Sequence, residues 1–375
     1  MEILLIYCGC YLAWYLWHIA SLVHGFKKVR NFEVKGAGDN GFSIVIPFRD
    51  EAKNLPALLQ SLKNQNYPLE KFEIILVDDF SSDEGAKIIY QWRMENGSFH
   101  VTLMDNVRVS GSPKKDAIAR AVPIAAYNWI ITTDADCILP PNWLSTFDAF
   151  ITQTKAQMVA GAVKYTAKFS LLNQFQRADL VSLQGATIGG FGLRKAFMCN
   201  GANFAYEKAF FNEIGGFKGS GRWPGGDDVF LLQKAVAKRP DAVHFLKSRQ
   251  AMVTTRAAQS WQELFYQRVR WAAKASGYKS DYAQTISMAV FAGNTVLLIL
   301  LVLGLSQHLS WTWVAWAWAI KFAIDWLLIT QARQFIYNSA LSFPVVQSLF
   351  YPLWTFVVAM YSLVGSYRWK GRKFN

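Results

Sequence analysis

The sequence predicts an α/β protein, a Rossmann-like domain with membrane-spanning helices on both sides of it. Between about residues 42 and 163, short β-forming apolar runs ending in acidic or polar residues alternate with helical patterns. The run from Ile3 to Val23 holds no Asp, Glu, Lys or Arg and is long enough to cross a bilayer. Three more apolar runs, near 286–305, 311–331 and 344–366, close the chain.

The 375 residues, 52% of them hydrophobic with 15 Trp and 27 Phe, suit one soluble domain plus membrane segments better than two soluble domains. Residues 1–25 read as a retained anchor rather than an export signal. Glu2 stands where a basic start would, and no small-residue cleavage site comes after the run. Lys27, Lys28 and Arg30 come next, and by the positive-inside rule they place the α/β domain in the cytoplasm. Residues 26–41, including Lys35-Gly-Ala-Gly-Asp-Asn-Gly41, read as a linker. The C-terminal membrane region is expected over 281–367, in about three segments. Its second segment carries Lys321 and Asp325 four residues apart, a pair expected to face neighbouring helices. The third contains Pro344 and Pro352 and leads into a basic tail, 368–375, with Arg368, Lys370, Arg372 and Lys373. Three full crossings would leave that tail outside, so either the last segment does not fully span or the tail breaks the rule.

A net charge of +13 invites nucleic acid or anionic lipid as a partner. Many basic residues flank apolar runs and no nucleic-acid module is recognisable, which favours the membrane surface. Cys8, Cys10, Cys137 and Cys199 show neither metal spacing nor a disulfide framework, as expected for a reducing cytoplasmic domain.

In chain order, Ser43-Ile-Val-Ile-Pro47 is a buried strand stopped by proline, followed by Arg49, Asp50 and Glu51 and a helix over 55–63. Glu73-Ile-Ile-Leu-Val-Asp78-Asp79 is a second strand ending in acids, with Ser81, Ser82 and Asp83 as caps for the next helix. Asp79 stands where it could accept from a base N–H or ribose hydroxyl, or simply cap a helix. Pro113 opens a helix carrying Lys114, Lys115 and Arg120; Lys114 either reaches a nucleotide or lies on a solvated face.

The strand 129–133 then runs into Asp134 and Asp136, which delivers two carboxylates to the ligand-collecting rim of the sheet. Hard oxygen donors of this kind suit Mg²⁺ or Mn²⁺ shared with a diphosphate; the alternative is a turn with two solvated acids. A helix near 141–154 and a strand near 157–163 complete the expected parallel half. Segment 168–197 is basic and amphipathic, with Lys168, Phe169, Arg177, Arg194 and Lys195. It reads as an interfacial helix or a core-facing one. Phe197-Met-Cys-Asn-Gly201 leads to a helix expected from about Tyr206.

Gly225-Gly-Asp227-Asp228 precedes an apolar helix start, where paired acids suit proton abstraction from a hydroxyl, or plain capping. On the helix around 261–271, Gln267, Arg270 and Trp271 fall on one stripe. Arg270 suits a leaving diphosphate and Trp271 a stacked sugar, the alternative being an interfacial anchor ahead of a membrane helix.

These four motifs, in this order, resemble the membrane-bound family-2 glycosyltransferases, whose cytoplasmic domain is called GT-A and which include cellulose synthases and ceramide glucosyltransferases. The resemblance covers roughly 42–275 within a domain placed at 42–280. It implies a donor-binding set of Pro47, Glu51, Asp78, Asp79, Lys114, Asp134 and Asp136, with Asp79 on the uridine part and Asp134 and Asp136 holding Mg²⁺ or Mn²⁺. Asp228 matches the general base, and Asp227 stands where Glu is more usual. Gln267, Arg270 and Trp271 match the acceptor and leaving-group motif. Cys199, Asn200 and Gly201 lie in a loosened form of the Phe-Phe-Cys-Gly segment, with departures at Met198 and Asn200. The implied reaction is inverting transfer from a UDP-sugar at a bacterial inner or cell membrane. A lipid acceptor is preferred to a growing glycan, because the membrane segments are few for a polymer channel. A non-catalytic nucleotide-sugar or lipid-binding protein is the remaining alternative.

Overall fold

The computed structural model describes residues 1–34, 36, 38–166, 170–337, 344–369 and 372–374. Lys35 and Ala37 of the expected linker, Lys168 and Phe169 of the amphipathic segment and Lys370 of the tail lie outside the described residues. In chain order the elements are α1 (Glu2–Lys28), β1 (Phe42–Phe48), α2 (Leu55–Lys63), β2 (Phe72–Asp78), α3 (Gly85–Glu95), β3 (Val101–Asp105), α4 (Pro113–Ile124) and β4 (Trp129–Thr132). Next come α5 (Trp143–Thr154), β5 (Met158–Gly161), β6 (Val163–Tyr165), α6 (Leu171–Gly192), β7 (Phe204–Glu207), α7 (Lys208–Glu213), α8 (Val229–Lys238), β8 (Val243–Leu246) and β9 (Val253–Thr255). The last are α9 (Trp261–Ala273), α10 (Asp281–Leu305), α11 (Trp311–Ile336), α12 (Pro344–Val364), β10 (Tyr367–Trp369) and β11 (Arg372–Phe374).

These elements fold as two compact units. One comprises Arg30–Thr166 and Ala196–Arg256; the other comprises Met1–Val29, Ala167–Lys195 and Ala257–Asn375. In the second of these, α6 and α9 fold with the apolar helices.

The first unit is built on a seven-stranded sheet of order β3-β2-β1-β4-β7-β5-β8. Strands β1 to β4 are mutually parallel, with Val45 opposite both Ile75 and Thr132. Ile44, Val45 and Ile46 of β1 and Ile74 to Val77 of β2 are fully buried, as both faces of a covered parallel sheet require. Leu55, Leu58, Leu59 and Leu62 of α2 and Ala117, Ile118, Ala121 and Val122 of α4 supply buried helical stripes.

Two elements differ from the sequence-based expectation. The run at 157–163 splits into β5 and β6, and β6 leaves the main sheet to pair with β9. Residues around Tyr206 form β7, antiparallel to both β4 and β5, and the helix begins only at Lys208. Phe204, Ala205 and Tyr206 are buried as ladder residues between two strands, so tertiary pairing decides their state.

In the second unit, α1 packs on α6, α10 and α11. Its crossing with α6 is made by glycines. A Cβ at Gly189 would lie 2.4 Å from the Leu22 carbonyl oxygen, and one at Gly192 would lie 1.9 Å from that of Gly25. Small residues that let two backbones touch are a common means of joining apolar helices. The core-facing alternative thus holds for α6, whose Asn173, Gln176, Asp179, Val181 and Ile188 are buried. Lys321 pairs with Asp325 at 2.7 Å, and the Tyr15 hydroxyl donates to the other Asp325 oxygen at 2.5 Å. Gly293 leaves room for the Tyr15 ring, where a Cβ would come within 2.6 Å of ring carbons. Among the described residues four helices are long and apolar enough to cross a membrane: α1, α10, α11 and 347–364 of α12.

Gly189→Ala must push Leu22 backbone aside and is expected to destabilise the detergent-solubilised protein by about 1–3 kcal/mol. Gly9→Ala, with nothing within 4 Å of its Cβ, is expected to leave the melting temperature unchanged.

Candidate active site

The C-terminal ends of β2, β1 and β4 lie side by side, and the candidate acids emerge there. Asp78 caps the turn after β2, accepting from the backbone N–H and hydroxyl of Ser81. Asp79 caps nothing. Its buried carboxylate accepts from Asn106 Nδ2 at 2.9 Å and from Arg108 Nε at 3.1 Å. Arg49 braces the same turn from β1, donating to the carbonyls of Asp79 and Phe80 at 2.7 and 2.8 Å. Phe80 is held at φ 59°, which is sparsely populated for a bulky residue, and the Arg108 guanidinium lies 4.8 Å from its ring centre. Pro47 is an inner residue of β1, which continues to Phe48, so the proline does not end the strand. Glu51 accepts from the Asn54 side chain and, through its carbonyl, from the Leu55 N–H, and so shapes the start of α2. The expected caps Ser81 and Ser82 serve Asp50 instead: Ser81 Oγ accepts from the Asp50 N–H, and Ser82 donates to the Asp50 carboxylate. Asp83 alone meets α3, at the Gly85 N–H.

Asn106 also donates to the Pro113 carbonyl at 3.0 Å, which ties the Asp79 turn to the start of α4. The next residue, Lys114, occupies the centre of the rim. Its ammonium lies 2.6 Å from Asp134 Oδ1 and 3.1 Å from Asp227 Oδ2. Burial pulls its pKa down, but the carboxylates of Asp134, Asp227 and Asp228 outweigh that and hold it above the ordinary lysine range. The solvated-face reading fails for Lys114 and also for Lys115, which is buried.

Asp228 is the N-cap of α8. Its Oδ1 accepts from the Val229 N–H at 2.7 Å and its Oδ2 from the Gly201 N–H at 3.0 Å. Gly201 in turn receives the Thr132 hydroxyl on its carbonyl at 2.7 Å, so the last residue of β4 is tied to the Asp228 carboxylate. A Cβ at Gly201 would stand 2.6 Å from Asp227 Oδ2 and 3.2 Å from Lys114 Nζ, so a side chain here would displace the Asp227 carboxylate. Cys199 is buried beside it, and the Asn200 side chain caps the turn by accepting from the Ala202 N–H. Asp134, Asp227, Asp228, Lys114 and Gly201 are thus brought together, with Asp79 linked to them through Asn106 and Pro113. Asp136 accepts from Thr255 at 3.4 Å. Burial, with Asp136 and Asp134 nearby, pushes the Cys137 thiol well above its usual range.

Among the described residues no three His, Cys, Asp or Glu side chains come close enough to hold a metal ion by themselves. The Gln267, Arg270 and Trp271 stripe lies half-buried on α9, in the unit of apolar helices. Arg268, which the sequence did not single out, organises it. Its guanidinium lies 4.2 Å from the Trp271 ring centre and donates to Gln267. The buried Asp179 carboxylate holds Arg268 Nε at 2.5 Å and accepts the Tyr351 hydroxyl at 2.8 Å. Asn106, Arg108 and Arg49 were missed as well, since their roles depend on which strands become neighbours.

Residues 43–215 match the family model described as glycosyl transferase family 2. This segment is a family 2 glycosyl transferase domain. Among solved structures, the mannosyltransferase PcManGT from Pyrobaculum calidifontis, in complex with GDP-Man and Mn²⁺, aligns with a TM-score of 0.56 at 16% identity, over 90% of this chain and 98% of its own. The family 2 domain therefore has the Rossmann-like GT-A fold. Glycosyltransferase AglE of Haloferax volcanii is 27% identical over 125 residues, covering 33% of this chain and 40% of AglE. A poly-beta-1,6-N-acetyl-D-glucosamine synthase of Staphylococcus epidermidis is 25% identical over 207 residues, 53% of this chain and 48% of the synthase. The chain thus spans less than half the length of these curated relatives.

Replacing Lys114 with Met leaves Asp134 and Asp227 facing each other. A cost of about 1–3 kcal/mol is expected, below that of a fully buried pair because Asp134 is partly solvated. Because the folded pKa of Lys114 is raised, this stabilisation is complete below the unfolded value of about 10.4 and fades only as pH rises through the folded one. The stability gap between wild type and Lys114→Met in denaturant titrations should therefore be constant from about pH 7 to 10.

Proposed function

We propose that the chain is an inverting membrane glycosyltransferase that moves a sugar from a UDP-sugar to the hydroxyl of a lipid or other membrane-associated acceptor. The observation that carries this reading is the meeting of Asp134, Lys114, Asp227 and Asp228 around Gly201 at the rim of a family 2 domain. Asp79, Asp78, Pro47 and Glu51 line up on the neighbouring strand ends, where the nucleoside would lie. The four apolar helices support attachment to a membrane, with the family 2 domain on the cytoplasmic side of a bacterial inner or cell membrane.

Asp228 is the general base. Both its oxygens receive a backbone N–H, which fixes the carboxylate's direction, and each keeps a lone pair for the incoming proton. The acceptor hydroxyl gives that proton to Asp228 as its oxygen attacks the anomeric carbon. The bond to the nucleoside diphosphate breaks on the opposite face, so configuration inverts. Asp227 is held away from this task by its ion pair with Lys114. Arg270 is assigned to the departing diphosphate, and Gln267 and Trp271 to the acceptor, with Cys199, Asn200 and Gly201 at the acceptor end. Asp134 and Asp136 are a hard-oxygen pair too small to hold an ion alone, which fits Mg²⁺ or Mn²⁺ arriving with the donor and completing its shell with phosphate and water. Such an ion would neutralise charge on the leaving diphosphate.

A second reading, extension of a polysaccharide, is favoured by the alignment with the poly-beta-1,6-N-acetyl-D-glucosamine synthase. A screen of nucleotide release from several sugar nucleotides, GDP-mannose included, with and without membrane lipid, separates the readings. Lipid-dependent UDP release with an organic-soluble product is expected; a long water-insoluble polymer would select the second reading. EDTA should suppress release and Mg²⁺ or Mn²⁺ restore it. Asp228→Asn keeps a helix cap but removes the base, and turnover should fall about 10²- to 10⁴-fold with nucleotide binding intact.

A further inference from the structure

The neighbour of Lys114 takes no part in that chemistry. Lys115 is 1% exposed. Its ammonium donates to the carbonyls of Ser220 at 2.6 Å and Trp223 at 3.2 Å, and lies 4.7 Å from the Phe230 ring centre. Those carbonyls belong to segment 217–226, which runs straight into Asp227 and Asp228. The segment has little regular structure of its own, and Gly219 and Gly226 hold φ of 78° and 74°. A chain of this kind stays in place only if something outside it satisfies its carbonyls.

Other contacts converge on the same seam. A Cβ at Gly111 would stand 3.1 Å from the Gly221 carbonyl, and one at Gly221 would stand 2.9 Å from Ser110 Cβ, so the loop before α4 touches the segment backbone. Trp223 packs on Phe230, ring centres 5.1 Å apart, one turn or less from Asp228. At the far end Lys234 donates to the carbonyls of Gly216 and Lys218 at 2.6 and 2.7 Å.

We propose that Lys115 is a positioning residue for Asp228. Its ammonium braces segment 217–226 against α4, so that one turn of α4 meets the donor-side acid Asp134 through Lys114 and places the acceptor-side base through Lys115. The proposal rests on the reading of Asp228 as general base. It adds that donor and acceptor sides are set by adjacent lysines on a single helix.

The test compares full-length wild type, Lys115→Met and Lys115→Arg in detergent. The measurements are nucleotide release, sugar-nucleotide affinity and hydrogen exchange of peptides covering 217–228. Lys115→Met, matched in size but without donors, should lower kcat about 10- to 100-fold, the scale of a misplaced catalytic group. Nucleotide Kd should stay within about threefold, since the donor side keeps Lys114. Exchange in 217–228 should quicken without change in the β1–β4 peptides. Lys115→Arg keeps donors for the carbonyls and should recover part of kcat. Unchanged exchange in 217–228, a kcat within about twofold of wild type, or joint collapse of kcat and nucleotide affinity would each overturn the proposal. Should Lys115→Met fail to fold, Lys115→Gln, whose shorter amide cannot reach both carbonyls, is judged by its exchange in 217–228 and its kcat-against-Kd split, where no departure from wild type overturns the brace. A wild type inactive with every sugar nucleotide would count against the glycosyltransferase reading, while the exchange result still decides the brace.

Discussion

The rim of the family 2 domain gathers carboxylates that would repel one another without a cation among them. Lys114 is that cation. Two acids from distant parts of the chain, Asp134 after β4 and Asp227 before α8, share its ammonium. Like charges at this spacing would otherwise favour protonation or separation of the loops that carry them. The lysine therefore sets the geometry of the rim before any ligand arrives, and it still leaves the rim with an excess of negative charge. A rim of that kind attracts a cation accompanying an anionic substrate rather than the anion alone.

Around this centre the structure favours short relays over long side chains. Thr132 reaches Gly201, Gly201 reaches Asp228, and Asn106 joins Asp79 to Pro113. All but the Asn106–Asp79 bond join a backbone group of one segment to a side chain of another, so displacement of one loop is passed to the next. Asp228, the carboxylate proposed for proton transfer, also caps its own helix. A base that doubles as a cap has little rotational freedom, which favours one direction of attack.

Much of this was legible in the sequence because the signals are local. The alternation of strand and helix through residue 154, the helix opened by Pro113, the paired acids after β2 and β4 and the four apolar runs all depend on spacing within one segment. Strand β7 itself was not legible: its three buried residues, Phe204 to Tyr206, read as the approach to a helix, and only pairing with β4 and β5 makes them a strand. Nor was the burial of Lys115, which depends on carbonyls more than a hundred positions away. Arg268 escaped for the same reason. Its partner Asp179 lies 89 positions away, and only the packing of α6, α9 and α12 brings the pair beside Gln267 and Trp271.

The N-terminal helix looked like a tether. The Gly25, Gly189 and Gly192 crossing and the Tyr15 hydroxyl on Asp325 make it part of a packed bundle instead. Trimming the chain near residue 30 would uncover the glycine face of α6 and leave the Lys321–Asp325 pair without its phenol. A form of this protein without its first helix would lose the packing that α6, α10 and α11 each make against it.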